Sequence, residues 1–219
     1  MKPKIDYTLY LVTDRTLLST PTLTEAVEKA IRGGCTLVQL REKTLPSREF
    51  YSTAQDLRAL TRAYNVPLII NDRVDIALAV DADGVHIGQQ DLPAAAVRNL
   101  IGPAKIMGVS AHTLEEAQAA AKAQADYLGI GAMFATATKP DTTTIPMAEY
   151  LRIRQHINLP LILIGGITTR TLPQLSGCGD GIAVVSAILA QPDIERAARE
   201  LKELRHRGKT PTRGKAPTQ

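Results

Sequence analysis

Short apolar runs recur along the chain, and between them the apolar positions shift to helical spacing. Residues 7–12 read as a first strand. Residues 22–32 read as a helix with Leu23, Ala26, Val27, Ala30 and Ile31 on one stripe, stopped by Gly33-Gly34. A strand over 36–40 follows, then a helix over 47–64 with Ser47 as its expected cap and Phe50, Ala54, Leu57 and Leu60 facing inward. Residues 68–70 are apolar throughout, as a strand covered on both faces should be. The alternation continues with strands at 84–87, 105–109, 127–131, 161–164 and 181–184. Helices are predicted over 74–80, 93–100, 114–123, 146–156, 169–175 and 193–204. Pro93 suits a first helical turn, and Thr113 ahead of Glu116 forms a capping-box pattern.

Strands alternating with helices in this way predict an α/β fold with a parallel sheet and right-handed crossovers, closing as a single (β/α)8 TIM barrel. An open doubly wound sheet competes, but the G-x-G-x-x-G fingerprint it would carry after the first strand is missing. At 219 residues the chain is near the lower end for a barrel, and no break in composition precedes Arg205. Residues 1–204 are therefore expected to form one catalytic domain.

Composition changes this picture only at the C-terminus. The hydrophobic share of 44% and charged share of 22% are ordinary for a soluble globular protein. The lack of Trp and an aromatic share of 4% argue against a nucleic-acid surface built on base stacking. The formal charge is +4 and the isoelectric point about 9.1. Arg205, Arg207, Lys209, Arg213 and Lys215 supply that excess, and without them the rest is nearly neutral. With Pro211, Pro217, Gly208 and Gly214 nearby, residues 205–219 are predicted to be a disordered, solvated tail whose removal after Leu204 leaves turnover nearly intact.

No targeting segment or bilayer-length apolar run is visible, so a cytoplasmic protein without membrane or nucleic-acid partners is expected. Cys35 and Cys178 lie beside apolar runs and read as inert thiols of a reducing compartment. The amphipathic helices permit a homo-oligomer without specifying one.

The chemistry lies in polar clusters that fall, in register, just after the apolar runs. A parallel barrel gathers all its strand ends on one rim, so these clusters converge. On the second run Gln39, Arg41 and Lys43 share a face, while Leu40 and Glu42 take the other. The guanidinium fork of arginine and the point charge of lysine together suit a polyanion. Asn71-Asp72 and Gln89-Gln90-Asp91 end neighbouring strands. Facing carboxylates repel and raise one pKa, unless a cation such as Mg²⁺, completed by water and substrate phosphates, lies between them. Helix capping is the ordinary alternative for each aspartate alone.

Thr136-Ala137-Thr138-Lys139 lies in a long loop, 132–146, with hydroxyls and an ammonium suited to phosphate. Gly165-Gly166 and Val185-Ser186 end the last two strands, where barrels commonly cradle a phosphate. Two anion sites result, with Ser110 between them: one for a Mg²⁺-pyrophosphate, the other for a monophosphate. Neither a Ser-His-Asp triad nor a cysteine nucleophile is apparent, and the four histidines lack metal-ligand spacing. Departure of pyrophosphate, with capture by a second phosphorylated substrate, fits this inventory.

At these residues the chain resembles the thiamine-phosphate synthases, also called thiamine-phosphate pyrophosphorylases. The resemblance runs from about Tyr10 to Leu189 and includes Leu9-Tyr10-Leu11-Val12-Thr13-Asp14, Val38-Gln39-Leu40-Arg41-Glu42-Lys43 and Ile70-Asn71-Asp72-Arg73. It continues through Gly84-Val85-His86-Ile87-Gly88-Gln89-Gln90-Asp91-Leu92-Pro93, Gly108-Val109-Ser110, Thr136-Ala137-Thr138-Lys139 and Ile164-Gly165-Gly166-Ile167. It implies a (β/α)8 transferase of thiamine biosynthesis that joins hydroxymethylpyrimidine pyrophosphate to thiazole phosphate and releases pyrophosphate. On that resemblance Gln39, Arg41, Lys43, Asn71, Ser110 and Lys139 contact the pyrimidine substrate, within the run that also holds Leu40 and Glu42. Arg41, Lys43, Ser110 and Lys139 carry the catalysis. Asp72 and Asp91 hold the Mg²⁺ cofactor. Thr136, Thr138, Gly166, Val185 and Ser186 contact thiazole phosphate, and Ala137 belongs to the same substrate-binding run. The implied mechanism is dissociative, through a pyrimidinylmethyl cation that the thiazole nitrogen captures. A tautomerase of the same fold, acting on a thiazole carboxylate phosphate, would need no pyrophosphate site. A non-catalytic phosphate-ligand sensor is the other competing class.

Overall fold

The structure is a computed structural model that describes residues 5–136 and 143–208. The expected contacts at Ala137, Thr138 and Lys139, and the tail beyond Gly208, lie outside the described residues. The strands are β1 (Leu9–Val12), β2 (Leu37–Leu40), β3 (Leu68–Asn71), β4 (Gly84–Ile87), β5 (Ile106–Ala111), β6 (Tyr127–Ile130), β7 (Leu161–Ile164) and β8 (Gly181–Val184). They pair in parallel in chain order, and β1 pairs with β8 to close the barrel. The expected (β/α)8 class is borne out.

The surrounding helices are α1 (Leu23–Arg32), α2 (Ser47–Ala63), α3 (Val74–Ala79), α4 (Ala94–Ile101), α5 (Leu114–Lys122), α6 (Met147–His156), α7 (Ser186–Leu189) and α8 (Ile194–Arg207). Two details depart from the pattern-based expectation. The β7–β8 crossover carries a 3₁₀ turn, Leu172–Leu175, in place of an α-helix, with Pro173 in its first turn. α7, four residues long, follows β8 directly and leaves no apolar periodicity to read.

Side-chain caps set the starts of α1, α5 and α8. The Thr22, Thr113 and Asp193 side chains accept from the backbone N–H of Glu25, Glu116 and Arg196. The Glu116 carboxylate answers by accepting from the N–H of His112 at 2.6 Å, one residue upstream of the expected capping-box partner. Ser47 does not cap α2. Pro46 holds the cap position in an extended conformation, and Ser47 Oγ accepts from the Arg73 guanidinium at 3.0 Å.

Strand residues alternate between two cores. Leu9, Leu11, Val38, Leu40, Leu68, Ile70, Val85 and Ile87 join the layer between barrel and helices. Tyr10, Val12, Leu37, Ile69, Ile106, Tyr127, Ile162 and Ala183 fill the barrel interior. Near the upper rim the inward positions turn polar, and that change makes room for a site. Among the described residues, no helix is long and apolar enough to cross a membrane.

The domain boundary expected after Leu204 falls inside α8 and needs correction. Arg205 is 2% exposed and donates to the carbonyl oxygens of Cys178 and Gly179 at 2.8 and 2.5 Å. It occupies the buried stripe of Ile194, Ala198 and Leu201, so the barrel body extends through Gly208. Truncation after Leu204 is expected to lower the melting temperature by several degrees, as a buried hydrogen-bonded side chain is lost. Truncation after Gly208 should leave it unchanged. Thermal denaturation of the two truncated proteins side by side checks this.

Candidate active site

A cavity of about 180 Å³ opens where the strands end, floored by Tyr10, Tyr127, Ile162 and Ala183. Gln39, Arg41, Asn71, Ser110, Thr136, Gly166, Val185 and Ser186, all expected contacts, line it. The parallel register explains the convergence: Gln39 pairs with Ile69, and Asn71 with His86, so inward residues of successive strands stand side by side.

Lys43, Asp72 and Asp91, also expected contacts, are not among the residues that line this cavity; they lie in the segments that follow β2, β3 and β4. Lys43 Nζ donates to Asp72 Oδ2 at 2.5 Å. Asp72 holds a left-handed backbone at φ 60°, a conformation that aspartate tolerates better than most residues. Its N–H donates to the carbonyl of His86 at 2.8 Å, which ties the bend to β4. Asp72 does not cap α3, since Arg73 fills that position without a side-chain bond. Nor does Asp91 cap α4, whose cap position belongs to Pro93. Asp91 Oδ2 accepts from the Gly88 N–H at 2.7 Å. Burial raises the Asp91 carboxyl above the usual carboxylate range, and the facing Asp72 raises it further, against the pull of the Gly88 N–H and Lys43. Backbone strain and two facing carboxylates are costs that helix caps would not require.

Arg41 is aimed from β1. Its N–H donates to Thr13 Oγ1 at 2.9 Å, and its guanidinium lies 3.6 Å from Asp14 Oδ2. Two residues of the expected binding run turn away. Leu40 is fully buried in the layer between barrel and helices, and Glu42 pairs with Arg15 at 3.0 Å, its side chain 6% exposed. The strand alternation that points Gln39 and Arg41 into the cavity points Leu40 outward, and Arg15 draws Glu42 aside, so neither side chain belongs to the cavity wall.

On the opposite side the backbone turns tightly. Gly166 has φ 63°, and a Cβ there would lie 2.6 Å from the carbonyl oxygen of Ala135. Only glycine lets the segment after β7 approach the one after β6 so closely. Cys35 is buried, its thiol pushed up to about 12 by burial, so it stays protonated and inert.

Several groups around the cavity were not anticipated. His86 and His112 line it, and Tyr10 and Tyr127 are hydrogen-bonded beneath it. Their signal in the sequence is the two-residue strand period: each of Tyr10, His86 and Tyr127 falls at an inward position of an apolar run.

A family model described as thiamine monophosphate synthase matches residues 9–188. A thiamine-phosphate synthase of Clostridium botulinum (strain Eklund 17B / Type B) is 59% identical over 93% of this chain and 96% of its own. One of Clostridium beijerinckii is 58% identical over 92% and 97%. The solved thiamine phosphate pyrophosphorylase of Pyrococcus furiosus superposes with a TM-score of 0.85 at 39% identity, covering 94% of this chain and 98% of that one. Sequence, fold and relatives agree: the chain belongs to the thiamine monophosphate synthase family.

Proposed function

We propose that this transferase joins hydroxymethylpyrimidine pyrophosphate to thiazole phosphate in the cavity at the barrel mouth, in the cytoplasm, and releases thiamine phosphate and pyrophosphate. One observation carries the assignment of the pyrophosphate side. Arg41 lines the cavity, while Lys43 is paired to Asp72, and Asp72 faces Asp91 beside it. Cations and paired carboxylates together match a metal-bound polyanion, and neither set alone does.

The donor set fits Mg²⁺. Two hard carboxylates, one raised by burial and by the other, gain from a divalent cation that takes oxygen ligands and keeps positions open for substrate phosphate. Asp72 and Asp91 would hold it, and when bound it would neutralise charge on the departing pyrophosphate. Arg41 and Lys43 bind that same leaving group, Arg41 by its fork and Lys43 as a point charge. The tight Gly166 turn and Ser186 bind the thiazole phosphate, with Thr136 and Val185 beside it. Ala137, Thr138 and Lys139 complete the loop on the resemblance described above.

Because pyrophosphate departs with its electron pair, the protein need not form a covalent bond. Its contribution is to place the thiazole nitrogen in line and to stabilise charge on the leaving group. Mixing the full chain with both phosphorylated halves and Mg²⁺ should yield thiamine phosphate and pyrophosphate in equal amounts, followed by chromatography and a pyrophosphate assay. If neither product forms, the assignment is wrong.

A further inference from the structure

A continuous hydrogen-bonded chain crosses the barrel beneath the cavity. Gln39 Nε2 donates to the Tyr10 hydroxyl at 2.7 Å, and the Tyr10 and Tyr127 hydroxyls are 2.8 Å apart. Tyr127 Oη meets His86 Nδ1 at 3.0 Å, and His86 Nε2 meets Ser110 Oγ at 3.0 Å. Both phenols are almost wholly buried, at 1% and 0% exposure, and burial pushes their pKa values well above the ordinary range. Each therefore keeps its hydrogen and must place it within the chain.

Hydrogen counting gives the chain one direction. The Tyr10 oxygen accepts from Gln39, so its hydrogen goes to Tyr127. The Tyr127 hydrogen then goes to His86 Nδ1. A neutral imidazole with Nδ1 as acceptor carries its proton on Nε2 and donates it to Ser110 Oγ. With its oxygen so engaged, Ser110 has its hydroxyl hydrogen left for the cavity it lines.

We propose that this chain fixes His86 as the Nε2–H tautomer and so makes Ser110 a preset hydrogen-bond donor to the substrate, with Tyr10, Tyr127 and His86 as positioning residues. The substrate role rests on the function proposed above; the tautomer does not. Space for the chain is built in at Gly108, where a Cβ would lie 2.1 Å from Tyr127 Cζ and 2.5 Å from His86 Nδ1. A serine hydroxyl free to rotate would spend part of its time as an acceptor, facing the acceptor atoms of a pyrimidine pyrophosphate. A preset donor avoids that reorganisation.

The experiment is long-range ¹H–¹⁵N correlation NMR on the ligand-free full chain labelled with ¹⁵N-histidine. The His86 signals are identified by their loss in His86→Gln. A protonated Nε2 and a bare Nδ1 are expected; an Nδ1–H tautomer, a rapid mixture of both or a cationic ring at neutral pH overturns the proposal. No turnover is needed, so failure of the proposed reaction would leave this result standing, and the reverse holds too. Tyr127→Phe then breaks the chain. His86 should lose its single tautomer, and the KM for the pyrimidine substrate should rise roughly tenfold, the worth of about one buried hydrogen bond, with the KM for thiazole phosphate little changed. An unchanged tautomer and unchanged KM in the folded variant would remove Tyr127 from the chain. If the variant does not fold, the wild-type spectrum alone decides.

Discussion

Asp72→Asn and Asp91→Asn are each expected to cut turnover by roughly 10²- to 10³-fold and to raise the Mg²⁺ concentration needed for half-maximal rate, the range typical when one preorganised charge-stabilising group is lost. Asparagine is the informative replacement at both positions. At Asp72 it tolerates the left-handed backbone, φ 60°, that alanine would strain. At Asp91 it keeps an oxygen to accept from the Gly88 N–H. Lost activity would thus report lost charge and not a collapsed loop.

Stability should move the other way at Asp91. Its folded carboxyl is raised by burial and then by Asp72. A raised carboxyl costs stability as pH climbs through the window from its unfolded to its folded value, and the full cost persists above it. At neutral pH, without metal, Asp91→Asn removes that cost, so its melting temperature should equal or exceed that of wild type. Wild-type Mg²⁺ titrations in both variants would count against the metal assignment, and a marked fall in melting temperature for Asp91→Asn against the electrostatic account.

The strand period made Gln39, Arg41, Asn71 and Ser110 legible, because a residue's face follows from counting by two and the barrel supplies the common rim. The same count places Tyr10, His86 and Tyr127 inward, yet in sequence they pass as members of apolar runs. Their polar atoms show only when a neighbouring strand brings a partner within 3 Å. Glu42 shows the converse: it closes a charged run but is drawn to Arg15 across the chain. Arg205 is obscured in the sequence for another reason. Its charge matched the basic tail, while its spacing from Ile194, Ala198 and Leu201 marked it as the last rung of a buried stripe. Where charge and period conflicted, period identified the position, because carbonyl oxygens were waiting for the guanidinium.

Arg98→Ala is expected to be the most damaging change away from the cavity, lowering stability by about 3–5 kcal/mol, the usual penalty for removing one partner of a buried ion pair. Arg98 is 7% exposed on α4 and reaches the N-terminal ends of β5 and β6, opposite the active rim. It donates to the carbonyl oxygens of Gly102, Lys105 and Gln124 and pairs with Asp126 at 2.7 Å. Asp126 in turn accepts from the N–H of Met107 at 2.8 Å, so one guanidinium ties α4 to the starts of both strands. Alanine would leave a mostly buried carboxylate and three carbonyls to find other partners. For a chain of this size the melting temperature should fall by roughly 10 °C or more. Denaturant titration gives the energy, and turnover below the transition gives the function. Because the rim opposite loses no group, the folded fraction should keep near wild-type kcat, whereas the aspartate variants should keep their fold and lose turnover. A large fall in kcat for folded Arg98→Ala would mean that the two ends of the barrel are coupled, against this division of stability and chemistry.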